Sequence, residues 1–269
     1  MLVSQFDDHW VMPSDSPTYP ALPPYYRDTL FQLVYYTTHK DNVAPLLPKP
    51  LEPADDGMCC AFAIKVPFCS HWGAFNEVGV VVKVVLDGKE GYFLPCLFLN
   101  SSDAIAPGRE IWGCPKKMAQ ISIEHYEGEL TSTAVRAGVP FLRLNSRIIG
   151  PAIPEEIPPI TPTYLLKMVP SADRHEPAIK QLVENGPVFD VKITKLFKGP
   201  GVVKWEPTVS GDFWKLQPVE FVGAFYQVCD FAQGPGRIVI DYLQERAGST
   251  VPAHGRSGKR ESVSAGSNR

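Results

Sequence analysis

Apolar residues in this chain fall mostly in short runs bounded by Gly, Pro, Asp or Glu, a pattern that predicts many strands and few helices. Residues 30–36 are apolar or aromatic almost throughout and β-prone, which predicts a strand largely covered on both faces. Residues 58–66, 78–85 and 92–99 read as three more strands. Asp87-Gly88 is a hairpin signal between the last two, and Lys89-Glu90-Gly91 predicts a loop longer than two residues. Next come 121–126, 130–136 and 141–149, with turns at Glu127-Gly128 and Ala137-Gly138, which together form an antiparallel meander. Residues 164–169, 188–197, 202–205, 221–231 and 237–243 supply further strands. Two helices are expected. Asp41 can cap a short one running toward Leu47 and stopped by Pro48, and 175–185 carries Ala178, Leu182 and Val183 near one helical face.

Proline and glycine set the organisation. Pro13, Pro17, Pro20, Pro23 and Pro24 exclude helix from residues 12–24 and favour an extended arm, to which Tyr19, Tyr25 and Tyr26 give something to bury. The proline-rich segment 150–162 reads as a rigid connection within one domain, because a linker would be more polar. Residues 1–246 are therefore expected to form a single domain with an N-terminal Pro-rich arm. Residues 247–269 are Gly, Ser and basic residues with almost nothing to bury, and a disordered tail is expected there. The fold class is mainly β with a few helices (α+β), built as a barrel or a sandwich.

Composition narrows the function. A formal net charge of -3 gives no electrostatic footprint for nucleic acid or an anionic membrane, and both are excluded as main partners. No stretch is long and apolar enough to span a bilayer, and the first residues carry Asp7 and Asp8 where a signal peptide needs a positive region, so an intracellular, cytoplasmic protein is expected. The six cysteines are sparse and read as buried thiols. Cys59, Cys60, Cys69 and His71 lack the usual spacing of zinc ligands, so no metal is expected.

Residues 106–120, APGREIWGCPKKMAQ, look built for chemistry. Gly108 and Pro115 allow 110–114 at most a short helical turn, and Pro115 keeps Cys114 out of the α region. Lys116 and Lys117 leave this turn among Ile105, Ile111, Trp112, Met118 and Ile121, surroundings that strip water from an ammonium and favour the neutral, nucleophilic amine. An isolated Lys-Lys pair is usually a solvated corner. The whole string changes that: Gly108-Arg109-Glu110, four residues, then Pro115-Lys116-Lys117 closely resembles the signature of the acetoacetate decarboxylase family. The resemblance runs from the Pro-rich arm to the terminal IDYLQE and is strongest between Glu77 and Lys117.

That resemblance implies a closed antiparallel barrel with added helices, a pocket opening near the lysine turn, assembly into homo-oligomers, and lysine imine chemistry without a cofactor. An activated lysine of this family is a worked example of nucleophile activation in general accounts of catalysis. Lys116 matches the nucleophile position, Lys117 its neighbour, and Glu77 the active-site glutamate that positions substrate or relays a proton. Arg109 and Glu110 are expected to brace the turn as an ion pair, and Cys114 to be a packing thiol, with a low-pKa thiolate as the alternative. Two departures stand out. Phe62 occupies the place of a second pocket glutamate, and Arg27 lies one residue out of register with an arginine thought to meet the substrate carboxylate. The implied substrate is a β-keto acid, longer than acetoacetate, such as a polyketide chain released as a free acid in secondary metabolism, as in fungal toxin pathways. The alternatives are an aldolase-dehydratase on the same lysine and a non-catalytic barrel that binds a small molecule.

Overall fold

The structure is a computed structural model that describes residues 10–244. The expected disordered tail lies outside the described residues. In chain order the strands are β1 (Tyr25–Thr37), β2 (Glu52–Pro53), β3 (Met58–Val66), β4 (Phe68–Cys69), β5 (Phe75–Leu86), β6 (Lys89–Leu99), β7 (Lys116–Met118), β8 (Gln120–Tyr126) and β9 (Glu129–Arg136). They continue as β10 (Val139–Arg147), β11 (Gly150–Pro151), β12 (Thr163–Pro170), β13 (Pro177–Glu184), β14 (Val188–Gly199), β15 (Gly201–Trp205), β16 (Glu220–Gln233) and β17 (Arg237–Asp241). Among the described residues two α-helices interrupt the strands, α1 (Lys40–Val43) and α2 (Ser102–Pro107).

The strands form two sheets. A 13-stranded sheet runs in the order β11, β14, β16, β1, β3, β5, β6, β12, β13, β17, with β2 added to β5, β4 to β1 and β7 to β6. A 4-stranded sheet runs β15, β10, β9, β8. Strands on both sides of the proline-rich 150–162 segment share the long sheet.

The expected closed barrel is not formed. β11 and β17 stand at opposite ends of the long sheet and do not pair. β11 is only Gly150 and Pro151, and a proline has no N–H to donate, so this edge cannot accept a closing strand. The apolar surface is buried instead by stacking. Val78, Val80 and Val82 of β5, with Val34 of β1 and Ala61 and Ala63 of β3, pack against Phe141, Leu142 and Leu144 of β10 and Trp205 of β15. The two-residue period of a strand then sends alternate side chains to the opposite face, where Leu33, Tyr35, Cys60, Phe62, Val81, Leu97 and Leu99 form a second cluster.

Other expectations are corrected in detail. The helix expected at 175–185 is strand β13, bonded to β12 on one edge and β17 on the other. Adjacent Leu182 and Val183 are both buried, so this segment is covered on both faces, which a one-faced helix does not need. Asp87-Gly88 alone makes its hairpin turn, because Leu86 pairs with Lys89, and both turn residues take positive φ (49° and 74°) as a type I′ turn requires. His39, not Asp41, is the N-cap of α1, and Asp41 sits in the first turn, where a carboxylate complements the helix dipole. Around the lysine motif, α2 is followed directly by a π-helical turn at Gly108–Trp112. Ser101 starts this helix by accepting a hydrogen bond from the Ala104 N–H.

One buried polar group ties the sheets together. Gln32 on β1 is fully buried, donates to the Leu130 carbonyl (3.2 Å) and to Ser146 Oγ (2.8 Å), and accepts from Ser132 Oγ (2.6 Å). Gln32→Ala leaves these three partners without their mates inside the interface, and is expected to lower unfolding free energy by about 2 kcal/mol in a denaturant titration. A change inside about 0.5 kcal/mol, the size of an ordinary surface substitution, would show that the network does not join the layers.

Candidate active site

Strand register builds the site. Phe62 on β3 pairs with Gly79 on β5, Gly79 with Leu97 on β6, and Leu97 with Lys116 on β7. These four side-chain positions form one row across four strands, on the face turned away from the small sheet. Gly79 contributes only a hydrogen to the row, and the Phe62 ring occupies the space a Cβ there would need (2.7 Å). Glu77 pairs with Leu99, one step along the same face.

Lys116 is 9% exposed. Its Nζ donates to the Ala104 carbonyl of α2 (2.9 Å), lies 3.8 Å from Glu77 Oε2, and sits 5.7 Å from the centroid of the Phe75 ring, a cation–π distance. Gly108 closes over the lysine stem, and a Cβ built there would meet Cδ and Cε at 2.5 Å and Nζ at 2.7 Å. The turn itself is fixed by the Cys114 N–H donating to the Gly108 carbonyl (2.9 Å) and by Arg109 donating to the Lys116 carbonyl (3.1 Å). Gly113 takes the left-handed conformation that ends the π turn (φ 83°).

The surroundings tune the neighbouring acids. Burial raises Glu77 above the usual carboxylate range, and the Lys116 charge pulls it part of the way back. Cys114 is pushed up to about 11 by burial despite the nearby lysine, so it is a protonated packing thiol and not a low-pKa thiolate. Burial also raises Cys69 and, well above its ordinary value, Tyr26, whose phenol is within electrostatic reach of Cys69, Glu77 and Cys114.

The structure brings Lys116, Glu77 and Phe62 onto one face and leaves Lys117 and Arg27 elsewhere. Lys117 follows Lys116 in an extended strand and so points the other way, donating to the Ser210 carbonyl (2.5 Å). Arg27 is exposed and lies 3.5 Å from Asp230. The cause is an irregularity between Tyr26 and Thr29, where Asp28 has φ 49°, so that Tyr26 turns inward and both Arg27 and Asp28 turn outward. Arg109 and Glu110 do not pair with each other: Arg109 holds the Lys116 carbonyl, and Glu110 accepts from the hydroxyl of Tyr19 in the N-terminal arm (2.6 Å). Lys167 braces the same turn from β12 by donating to the Ile111 carbonyl (3.1 Å). Sequence reasoning missed Ala104, Gly79, Phe75, Tyr26 and Trp72. Gly108, punctuation in the sequence, leaves the space that the Lys116 side chain fills. Two clefts, of about 710 Å³ beside Met118 and Arg136 and about 430 Å³ between Tyr19, Glu110 and Lys167, do not have Lys116 in their walls. Among the described residues, no cluster of His, Cys, Asp and Glu is placed to hold a metal ion.

A buried lysine beside a carboxylate on an apolar face is an arrangement compatible with imine chemistry. The sequence profile of the family described as acetoacetate decarboxylase (ADC) matches residues 11–243. The chain belongs to the acetoacetate decarboxylase family. It is 30% identical over 242 residues to acetoacetate decarboxylase 2 of Mesorhizobium japonicum, covering 87% of this chain and 90% of that protein. The crystal structure of acetoacetate decarboxylase from Legionella pneumophila is similar at 26% identity and a TM-score of 0.78, covering 85% of this chain and 91% of the other. The enduracididine biosynthesis enzyme MppR, solved with pyruvate, shares the fold at 17% identity and a TM-score of 0.72, covering 87% and 98%.

Three outcomes follow from this geometry. Gly108→Ala drives a methyl into the far end of a flexible side chain, so the fold absorbs it and the amine moves. Reaction of Lys116 with a carbonyl probe is expected to slow about 100-fold, a usual consequence of misplacement by about 1 Å, with the unfolding midpoint unchanged. Lys116→Met removes the charge that opposes burial, so Glu77 is expected to titrate at higher pH in the variant, as followed by carboxyl carbon NMR. The sign for stability follows. With its folded value above the unfolded one, Glu77 contributes stability that is present below the unfolded value and lost as pH rises through the folded value, and Glu77→Gln is expected to flatten that part of the pH–stability curve.

Proposed function

We propose that this chain is a carboxy-lyase that removes carbon dioxide from a β-keto acid through an imine on Lys116. The observation that carries the reading is the amine of Lys116, buried on an apolar sheet face with the Glu77 carboxylate 3.8 Å away. Family membership supports it, since the Mesorhizobium and Legionella relatives are named for this reaction.

The neutral amine attacks the ketone carbon, and the resulting carbinolamine loses water to give an iminium. The bond between the α-carbon and the carboxylate then breaks, its electron pair moves toward the iminium nitrogen, and carbon dioxide leaves behind an enamine. A proton delivered to the enamine carbon restores the iminium, and water releases the ketone and the free amine. Glu77 suits both proton steps, because burial strengthens its hold on a proton: it accepts one from the ammonium and gives it to the departing hydroxyl, then takes a second from water and gives it to the enamine carbon. An iminium beside a carboxylate keeps its charge balanced through the cycle.

We extend the reading to a substrate larger than acetoacetate, because Phe62, in the row with Lys116, puts a ring where the resemblance places a second glutamate, and an apolar ring favours an acyl chain of the kind a polyketide pathway in secondary metabolism releases as a free acid. Exposed Phe189, Val191 and Ile193 along β14 support assembly into homo-oligomers.

The test is a panel of β-keto acids of rising chain length, incubated with wild type and Lys116→Ala, reduced with borohydride and mapped by peptide mass spectrometry. Reduced imine on Lys116 with carbon dioxide evolved, more rapidly for longer chains, is the expected result. Imine without carbon dioxide would indicate an aldolase-dehydratase, and no imine with any acid would leave a binding protein.

A further inference from the structure

Trp72 is 6% exposed, yet its indole N–H has no hydrogen-bond acceptor among the described residues. A buried donor left without a partner costs free energy and calls for an explanation. The neighbouring indole, Trp112, with its ring 6.4 Å away, donates to the Gly234 carbonyl at 3.0 Å, so one of the two rings is satisfied and the other is not.

The orphan belongs to the shell around the reactive amine. Trp72 lies in the turn between β4 and β5, after Cys69, whose thiol feels the Lys116 charge, and before Phe75, whose ring faces Lys116 Nζ. Its ring is 6.3 Å from that of Tyr26, which shares the cluster with Glu77. The turn that carries Trp72 is pinned, with Ser70 donating to the Tyr25 carbonyl (2.9 Å) and Gly73 to the Cys69 carbonyl (3.1 Å), so the indole is held in place beside these groups.

A keto acid entering this site brings a carboxylate, and the cations near it are committed elsewhere. Arg27 faces outward beside Asp230, Lys117 points away, Arg109 holds the Lys116 carbonyl and Lys167 holds the Ile111 carbonyl. We propose that the indole N–H of Trp72 is the carboxylate-binding donor of this site. A neutral donor suits the chemistry. An arginine would hold charge on the carboxylate in the ground state, opposing its flow toward the iminium, whereas an indole orients the group and lets the charge go.

The proposal rests on the decarboxylase reading only for why a carboxylate comes here. Its test therefore uses levulinate, a keto acid that cannot lose carbon dioxide by this route, and 2-pentanone, a ketone without a carboxylate. The chain has five tryptophans, so indole N–H resonances of the full-length protein are few, and Trp72→Phe assigns the one concerned. Levulinate is expected to move the Trp72 resonance downfield and 2-pentanone to leave it in place. Trp72→Phe should weaken levulinate binding about tenfold, the usual worth of a hydrogen bond to a charged group, with 2-pentanone binding unchanged. A resonance unmoved at saturating levulinate, or equal weakening of both ligands, overturns the proposal in favour of a packing role. If no β-keto acid yields carbon dioxide while levulinate still moves Trp72, the decarboxylase reading falls and the carboxylate site stands.

Discussion

An amine and a carboxylate 3.8 Å apart on an apolar surface are held together by strand register, and the rest of the site depends on that hold. Burying such a pair is no gain in stability, because the loss of hydration offsets much of the attraction. It persists because Glu77 and Lys116 sit on strands that pair through β6, whose Leu99 and Leu97 fix their spacing. A slip of one residue in any of these strands would turn one of the two side chains to the other face.

The two faces of the long sheet divide the work. One packs against the small sheet, with β-branched residues from β5 meeting aromatic and leucine side chains from β10, and carries most of the apolar burial. The other carries Lys116 and Glu77 within a second buried cluster. The same two-residue period that separates Val78 from Glu77 separates Lys117 from Lys116, so adjacent lysines of near-identical sequence context have unrelated environments.

The cover is assembled from segments far apart in sequence. The N-terminal arm reaches Glu110 through Tyr19, β12 reaches Ile111 through Lys167, and the Gly234 carbonyl receives Trp112. These three contacts converge on one π-helical turn, whose Gly108 leaves the volume that the Lys116 stem fills. Among the described residues two buried side-chain polar atoms lack a partner, the Thr29 hydroxyl and the indole N–H of Trp72.

Much of this was legible in the residues themselves. The run of β-prone residues at Met58–Val66 ends where the strand ends, and Asp-Gly, Glu-Gly and Ala-Gly pairs mark the hairpins, because turn chemistry and strand preference are local. The Gly108 to Lys117 string singles out Lys116 through its resemblance to the family signature. The rest belongs to contacts between distant segments. Whether the sheet closes depends on what β11 and β17 can offer each other, and residues 175–185 are a strand because β12 and β17 stand ready to bond both edges. Arg27 looks outward because of a single irregularity at Asp28, and Glu77 meets Lys116 because two leucines on a third strand set their places. Sequence by itself determined most of the strands and their turns, since each follows from a residue and its neighbours. Tertiary structure alone decided which side chains share a face, since that is a property of register between strands.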